Sequence, residues 1–294
     1  MSAEPSKYRF LLINAFSLPP GGDFKLRAFD GPKEQQLYNY EDVKPFLEGI
    51  DWDLHPGAAA THGNWPVQSK WEFLSVGYNR QAVVREACES GKYNAIVLLG
   101  GGDPGYLESR EIGRQHRIPV TSCAHAQMHM AGLLGHKFSV VDIGETHNMQ
   151  MVQLVVQYRM TERCASIRNI NYPLPSPNFP NDKPIDVERD RALNGAASGM
   201  LDAAVTESVA AIEEDGAEVT PIFDRQLGKN RFLAGDTLTA ADLYLFPLYA
   251  YFSDIAELKA IADKAPNINR WAREMAARPS AQATEPTFKP QIAA

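Results

Sequence analysis

Two reactive side chains, Cys123 and His125, follow directly on the apolar run at residues 118–122. In an extended segment residues two apart point to the same side, so in that reading the thiol and the imidazole share one side of a cleft. A cysteine within hydrogen-bond reach of a histidine is an activated nucleophile or an acid/base pair. The same residues also permit a structural reading, in which Cys123 is a small buried residue and His125 caps the following helix. Cys88, on a helical pattern, and Cys164, ahead of a strand, read as packing residues.

His55, His62, His125, His129 and His147 all fall near strand ends, and His125 and His129 share one face if a helix includes both. With Asp103, Asp142 and Glu145 they could furnish a divalent metal site, and hence a metal-dependent hydrolase or lyase, although no HExxH pattern accompanies them. The triplet Gly100, Gly101 and Gly102, followed by Asp103, Pro104 and Gly105, reads as a strand-to-helix turn. Such a turn either aims backbone N–H groups at an anion or simply reverses the chain tightly. Asn14 and Ser17 are polar residues at the end of the first strand. Phe16 between them, with Trp52, Trp65 and Trp71, suggests an aromatic or bulky ligand, or aromatic pins of a lid.

Short apolar runs position these residues. Residues 9–14, 95–99, 118–122, 138–142 and 165–172 read as strands, separated by helical patterns such as 79–90 and 127–134. Continuous apolar strands alternating with helices indicate α/β architecture with mostly parallel sheets covered on both faces. Ligands bind such sheets beyond the carboxyl ends of the strands. That rule selects residues 14–17, 100–103, 123–125, 142–147 (with Asp142 and His147 at its ends) and 172–174. Two long insertions, 18–53 and 175–190, read as lids or binding loops, or as ornament.

The 294 residues, 44% hydrophobic, suffice for two domains. A net charge of -7 without a basic run argues against nucleic acid and anionic membranes as partners. The first apolar run is too short for a signal sequence or a membrane span, so a cytoplasmic location is the expectation. Three scattered cysteines indicate neither a disulfide framework nor a cysteine zinc site. After Val219 strand-like runs give way to helical patterning. Thr239 and Asp242 fit a capping box ahead of an apolar run, and residues 279–294 read as an irregular strap.

Several segments, in order, resemble the aspartate/glutamate/hydantoin racemase superfamily: LLIN, HPGAAATHGN, YNAIVLLGGGDPGYLESREI, RIPVTSCAHAQMHMAGLLGHKFSVVD, RCASIRNINYPLP and AIEEDGAEV. The resemblance covers residues 7–219. A second one, LGKNRFLAGDTLTAADLYLFP and PNINRWAREMAARP, is to the all-helical C-terminal domain of glutathione transferases. The first implies two similar α/β lobes with the site between them, and a glycine turn that binds a carboxylate. It also implies two cysteines on opposite faces of the substrate. Here the chain departs from the pattern, with Gly100 and Gly101 at the first cysteine position and Ile222, Phe223 and Asp224 around the second. The second resemblance implies an assembly surface rather than glutathione chemistry, since the domain that holds most of the glutathione in that family has no counterpart here.

The expected organisation is a racemase-like domain at 1–220 and a helical domain with its tail at 221–294. The expected function is a cofactor-free lyase, decarboxylase or isomerase acting beside the carboxylate of a bulky small molecule. Cys123 and His125 would be catalytic, and Asn14, Phe16, Ser17, Gly100, Gly101, Gly102, Asp103, Asp142 and His147 would bind the substrate. A homo-oligomer is expected. A non-catalytic carboxylate-binding protein, with the helical tail docking a partner, is the competing reading.

Overall fold

The computed structural model describes residues 8–19, 31–37, 40–60, 63–176, 185–254 and 261–283. His62 and residues 284–294 of the expected strap lie outside them. The chain divides into two compact units, Met1–Glu207 and Ser208–Ala294.

In the first unit, four parallel strands lie in the order β2-β1-β3-β4: β1 (Tyr8–Ile13), β2 (Ile50–His55), β3 (Ala95–Leu98) and β4 (Val120–Ser122). Leu11, Ile13, Ile96, Leu98 and Val120 are buried in one core with residues of the flanking helices. Strand β2 corrects the reading of 18–53 as a loop. As an edge strand it alternates apolar residues with Asp51 and Asp53, so it has no continuous apolar run to betray it. Those carboxylates hold it in place: Arg9 reaches Asp53 at 3.0 Å and Lys92 reaches Asp53 at 2.8 Å. Two short helices, α1 (Lys33–Gln36) and α2 (Tyr40–Val43), precede it.

Helix α3 (Lys70–Glu89) opens with a capping box in which the Ser69 amide and hydroxyl both donate to Glu72 Oε2 at 2.9 Å. Its buried face runs Phe73, Val76, Gly77, Arg80, Val84, Ala87 and Cys88, the spacing of a helix stripe with one cation in it. Helices α4 (Tyr106–Gln115) and α5 (Cys123–Leu134) follow β3 and β4.

A second, smaller parallel sheet pairs β5 (Phe138–Asp142) with β6 (Cys164–Asn169) across α6 (Asn148–Gln157). Met151, Leu154 and Val155 of α6 join the same core as the first sheet. Helix α7 (Ile185–Leu193) occupies part of the second insertion.

Helix α8 (Gly199–Lys229) runs without a break through the segment AIEEDGAEV and past Val219, with Pro221 inside it. The second unit continues with α9 (Ala240–Asp254), α10 (Pro266–Ala276) and α11 (Pro279–Ala283) around a core of Leu227, Phe232, Tyr249, Ile268, Trp271 and Met275. The expected capping box is present. Thr239 donates its amide and hydroxyl to Asp242 Oδ2 at 2.9 Å, and the fully buried carboxylate also takes the Leu233 amide and the Trp271 indole N–H at 2.9 Å. Asp224 caps α10 by accepting the amides of Asn267 and Ile268 at 2.8 and 3.0 Å. The place where the racemase pattern puts its second cysteine, residues 222–224, is therefore helix in the second unit.

Candidate active site

The carboxyl ends of β1, β3, β4, β5 and β6 carry the polar segments picked out from the sequence, and long-range hydrogen bonds join several of them. Asp103 is the centre. It is buried and sits at φ 44°, a left-handed conformation that Asp tolerates better than most residues. Its Oδ1 accepts the Ser122 hydroxyl and the Ala124 amide, the latter at 2.9 Å. Its Oδ2 accepts the His125 amide at 2.7 Å and the Tyr158 hydroxyl at 2.8 Å. This carboxylate caps the first turn of α5, with both oxygens already engaged. Asp103 thus holds the Cys123 turn.

The glycine turn lies against these groups. Gly100 has φ 98°, and a Cβ there would meet Ala15 Cβ at 2.3 Å; one on Gly102 would meet the Phe73 ring at 2.1 Å. Gly101 instead faces open space, with nothing within 4 Å of such a Cβ. Among the described residues no hydrogen bond is made by the amides of Gly100, Gly101 and Gly102. Consecutive unengaged N–H groups at a glycine turn form a concavity suited to an anion. The Gly102 carbonyl accepts Gln150 Nε2 at 2.6 Å, and Gln150 in turn accepts a hydrogen bond from Lys70. Lys70 is half-buried, and burial lowers its ammonium below the usual range.

Arg80 was not found from the sequence. Its guanidinium is wholly buried and donates to three carbonyls, those of Pro104 at 2.8 Å, Asn14 at 2.9 Å and Ala15 at 2.7 Å. It ties the end of β1 to the glycine turn. Burial pulls it down to about 10, while the charges of Asp103 and Cys123 act in the opposite direction. The available signal was its position on the apolar stripe of α3, four residues from both Val76 and Val84.

Cys123 is half-buried at the first position of α5. Because the helix begins there, Cys123 and His125 are not in an extended segment. Residues two apart on a helix point about 200° apart, which removes the basis for pairing them. His125 instead belongs to an aromatic cluster, its ring centroid 4.1 Å from His129 and 4.9 Å from both Tyr106 and Tyr158. Burial, His129 and Arg110 lower its imidazole below the ordinary range against the pull of Asp103.

The remaining expected residues divide between wall and core. Phe16 is buried with Leu18, Val67, Phe73 and Val76, and Trp52 is buried in β2. Trp65 packs on the same cluster, whereas Trp71 is exposed. Asn14 is buried, with its amide on the His55 carbonyl and its own carbonyl on Arg80, and Ser17 is half-buried beside it. His147 is held through Nδ1 to Asp142 at 2.7 Å and through Nε2 to the Val67 carbonyl at 3.0 Å, so both ring nitrogens are engaged. Burial pushes the other two thiols, Cys88 and Cys164, above their ordinary range. Among the described residues no group of three or more His, Cys, Asp or Glu is placed to hold a metal ion. No described helix is long and apolar enough to cross a membrane.

Comparison with known proteins finds both resemblances. Residues 197–279 match the family model for the glutathione S-transferase C-terminal domain. Glutathione S-transferase F13 of Arabidopsis thaliana is 36% identical over 75 residues, 24% of this chain and 34% of that protein. Hydantoin racemase of Pseudomonas sp. (strain NS671) is 29% identical over 125 residues, 42% of this chain and 43% of that protein. Allantoin racemase from Pseudomonas fluorescens superposes with a TM-score of 0.45 at 16% identity, covering 70% of this chain and 72% of that one. The chain spans about a third of the length of the curated glutathione transferases it matches. It joins a racemase-like N-terminal region to a glutathione-transferase-like C-terminal segment.

Proposed function

We propose that the N-terminal region is a racemase-superfamily enzyme that acts at a carbon next to a carboxylate, without a cofactor, and with one thiol instead of two. The observation that carries this reading is the pair of adjoining turns. Three unengaged glycine amides lie beside the turn that presents Cys123, and Asp103 locks the two together.

In this reading the substrate carboxylate, or the enolate formed from it, sits on the amides of Gly100 to Gly102, with Ser17 as a further polar contact. Those donors stabilise negative charge as it develops. In the decarboxylation of a malonate-type substrate one carboxylate leaves as CO₂, and the electron pair of the broken bond passes from the α-carbon into the carboxylate that remains, forming an enediolate. The Cys123 S–H then delivers a proton to that carbon, and the thiolate recovers its proton from water. With Gly100 and Gly101 at one cysteine position and helix α8 at the other, no second thiol of the family pattern serves the opposite face. Cleavage or isomerisation with protonation from one face is therefore favoured over racemisation.

The test is turnover of arylmalonate-type and hydroxy-acid carboxylates in D₂O, with chiral analysis of the product. One product enantiomer carrying deuterium at the α-carbon is expected. Cys123→Ala lowers the rate by roughly two to four orders of magnitude. Efficient racemisation of aspartate, glutamate or a hydantoin by the wild-type chain rejects the reading. Binding of such carboxylates with no turnover replaces it with a carboxylate-binding protein.

A further inference from the structure

The aromatic cluster at the start of α5 contains two imidazoles that the proposed reaction does not use. We propose that His125 and His129 form a two-point site for a divalent cation of borderline softness, Zn²⁺, Ni²⁺ or Cu²⁺, bound through their Nε2 atoms with water completing its shell. The two lie one turn apart within the same helix, with ring centroids 4.1 Å apart and planes at 33°. Histidines four apart on one helix face are the helical unit of many zinc sites.

The His129 hydrogen bond selects its nitrogen, and the His125 contact is compatible with the same choice. His129 Nδ1 lies 2.8 Å from the His125 carbonyl, which can only accept, so the neutral ring carries its proton on Nδ1 and its lone pair on Nε2. His125 Nδ1 lies 3.3 Å from the Tyr106 hydroxyl. Among the described residues neither Nε2 makes a hydrogen bond. A metal-bound histidine commonly has this arrangement, its second nitrogen donating to a carbonyl or hydroxyl that fixes the ring. A modest fanning of the rings lets both Nε2 atoms approach one ion to about 2.0–2.1 Å.

The surroundings suit an open, solvent-facing site. Both histidines are half-buried, with Tyr106 and Tyr158 as walls. Besides His129 itself, the charges that act on His125 are Arg110 of α4, which opposes a cation, and Asp103, which attracts one. Burial helps keep His125 neutral, as a metal ligand must be. The site uses neither the Cys123 thiol nor the glycine turn, so it stands or falls separately from the proposed reaction.

Equilibrium dialysis of the full chain against NiCl₂, with the electron paramagnetic resonance spectrum of the Cu²⁺-loaded protein, tests this. The wild type is expected to hold one ion per chain in its tightest class, with a copper spectrum showing two nitrogen donors. His125→Gln and His129→Gln should each weaken binding by roughly tenfold or more, because a chelate's second ligand binds intramolecularly. The double variant should bind at least as weakly as either single one, because it keeps neither imidazole. Cys123→Ser and the surface pair His116→Gln with His136→Gln should leave the site intact. If a variant fails to fold, Zn²⁺ protection of His125 and His129 from diethylpyrocarbonate in the wild type decides instead. Unchanged affinity in the double variant, a one-nitrogen copper spectrum, or absence of Zn²⁺ protection would overturn the proposal.

Discussion

The Tyr158 hydroxyl donates to Asp103 Oδ2 at 2.8 Å, so the residue at the end of α6 secures the carboxylate that caps α5. Burial and the Asp103 charge push the Tyr158 hydroxyl far above its ordinary range, which keeps it a donor across the working pH range. Tyr158→Phe leaves Asp103 with three donors and should cost about 1–2 kcal/mol in urea denaturation. Asp103→Ala strands the Ser122 hydroxyl, two amides and the phenol, and should cost about 3 kcal/mol or more. Equal effects of the two substitutions would show that Asp103 does not organise the turn.

The three glycines of the turn should respond differently to a side chain. Gly101→Cys places Cβ in open space and should change stability by less than about 0.5 kcal/mol. Gly100→Cys, at φ 98° and against Ala15, and Gly102→Cys, against the Phe73 ring, should each lose about 1–3 kcal/mol. Thermal melting of the three variants checks the order.

His147 predicts a pH dependence. Burial opposes its charge, but Asp142, the Val67 carbonyl and Glu72 outweigh burial and hold the imidazole above its usual range. A raised folded-state value means the pair's stability is fully present below the unfolded value, about 6.5. It is lost as pH rises through the folded value. The stability gap between wild type and His147→Asn should therefore narrow from pH 6 to pH 9 in urea titrations. A gap that widens with pH would contradict the ion pair.

Asp242 has the opposite sign. Burial alone would raise its carboxyl, but the Leu233 and Thr239 amides, the Thr239 hydroxyl and the Trp271 indole outweigh it and leave the group below the ordinary carboxylate range. Its contribution is present above about pH 3.9 and lost as pH falls through the folded value. Asp242→Ala should cost about 3 kcal/mol, more than an exposed cap, because four donors lose their acceptor in a buried place. Calorimetry of the full chain should show the loss in the transition that contains Trp271.

The strand ends were legible in the sequence because buried parallel strands are continuous apolar runs, and Asn14, Gly100, Cys123 and Asp142 each lie at or next to such an end. The Thr239 and Asp242 capping box was legible because its residues are three apart in the chain. Strand β2 was hidden by its alternating acids. The Cys123 and His125 relationship depended on one local fact, whether the helix starts at residue 123 or a few residues later, and spacing alone does not settle that. Arg80, Tyr158 and Gln150 reach the turn across sequence separations that leave no periodic trace.

The empty space over Gly101 also leaves the turn open to a new side chain. A glycine encoded by GGT or GGC is a single base substitution from cysteine, and here that substitution meets neither a steric clash nor a strained backbone angle. A side chain introduced at this position meets nothing within 4 Å of its Cβ, so the turn has room for a thiol where it now carries a hydrogen atom.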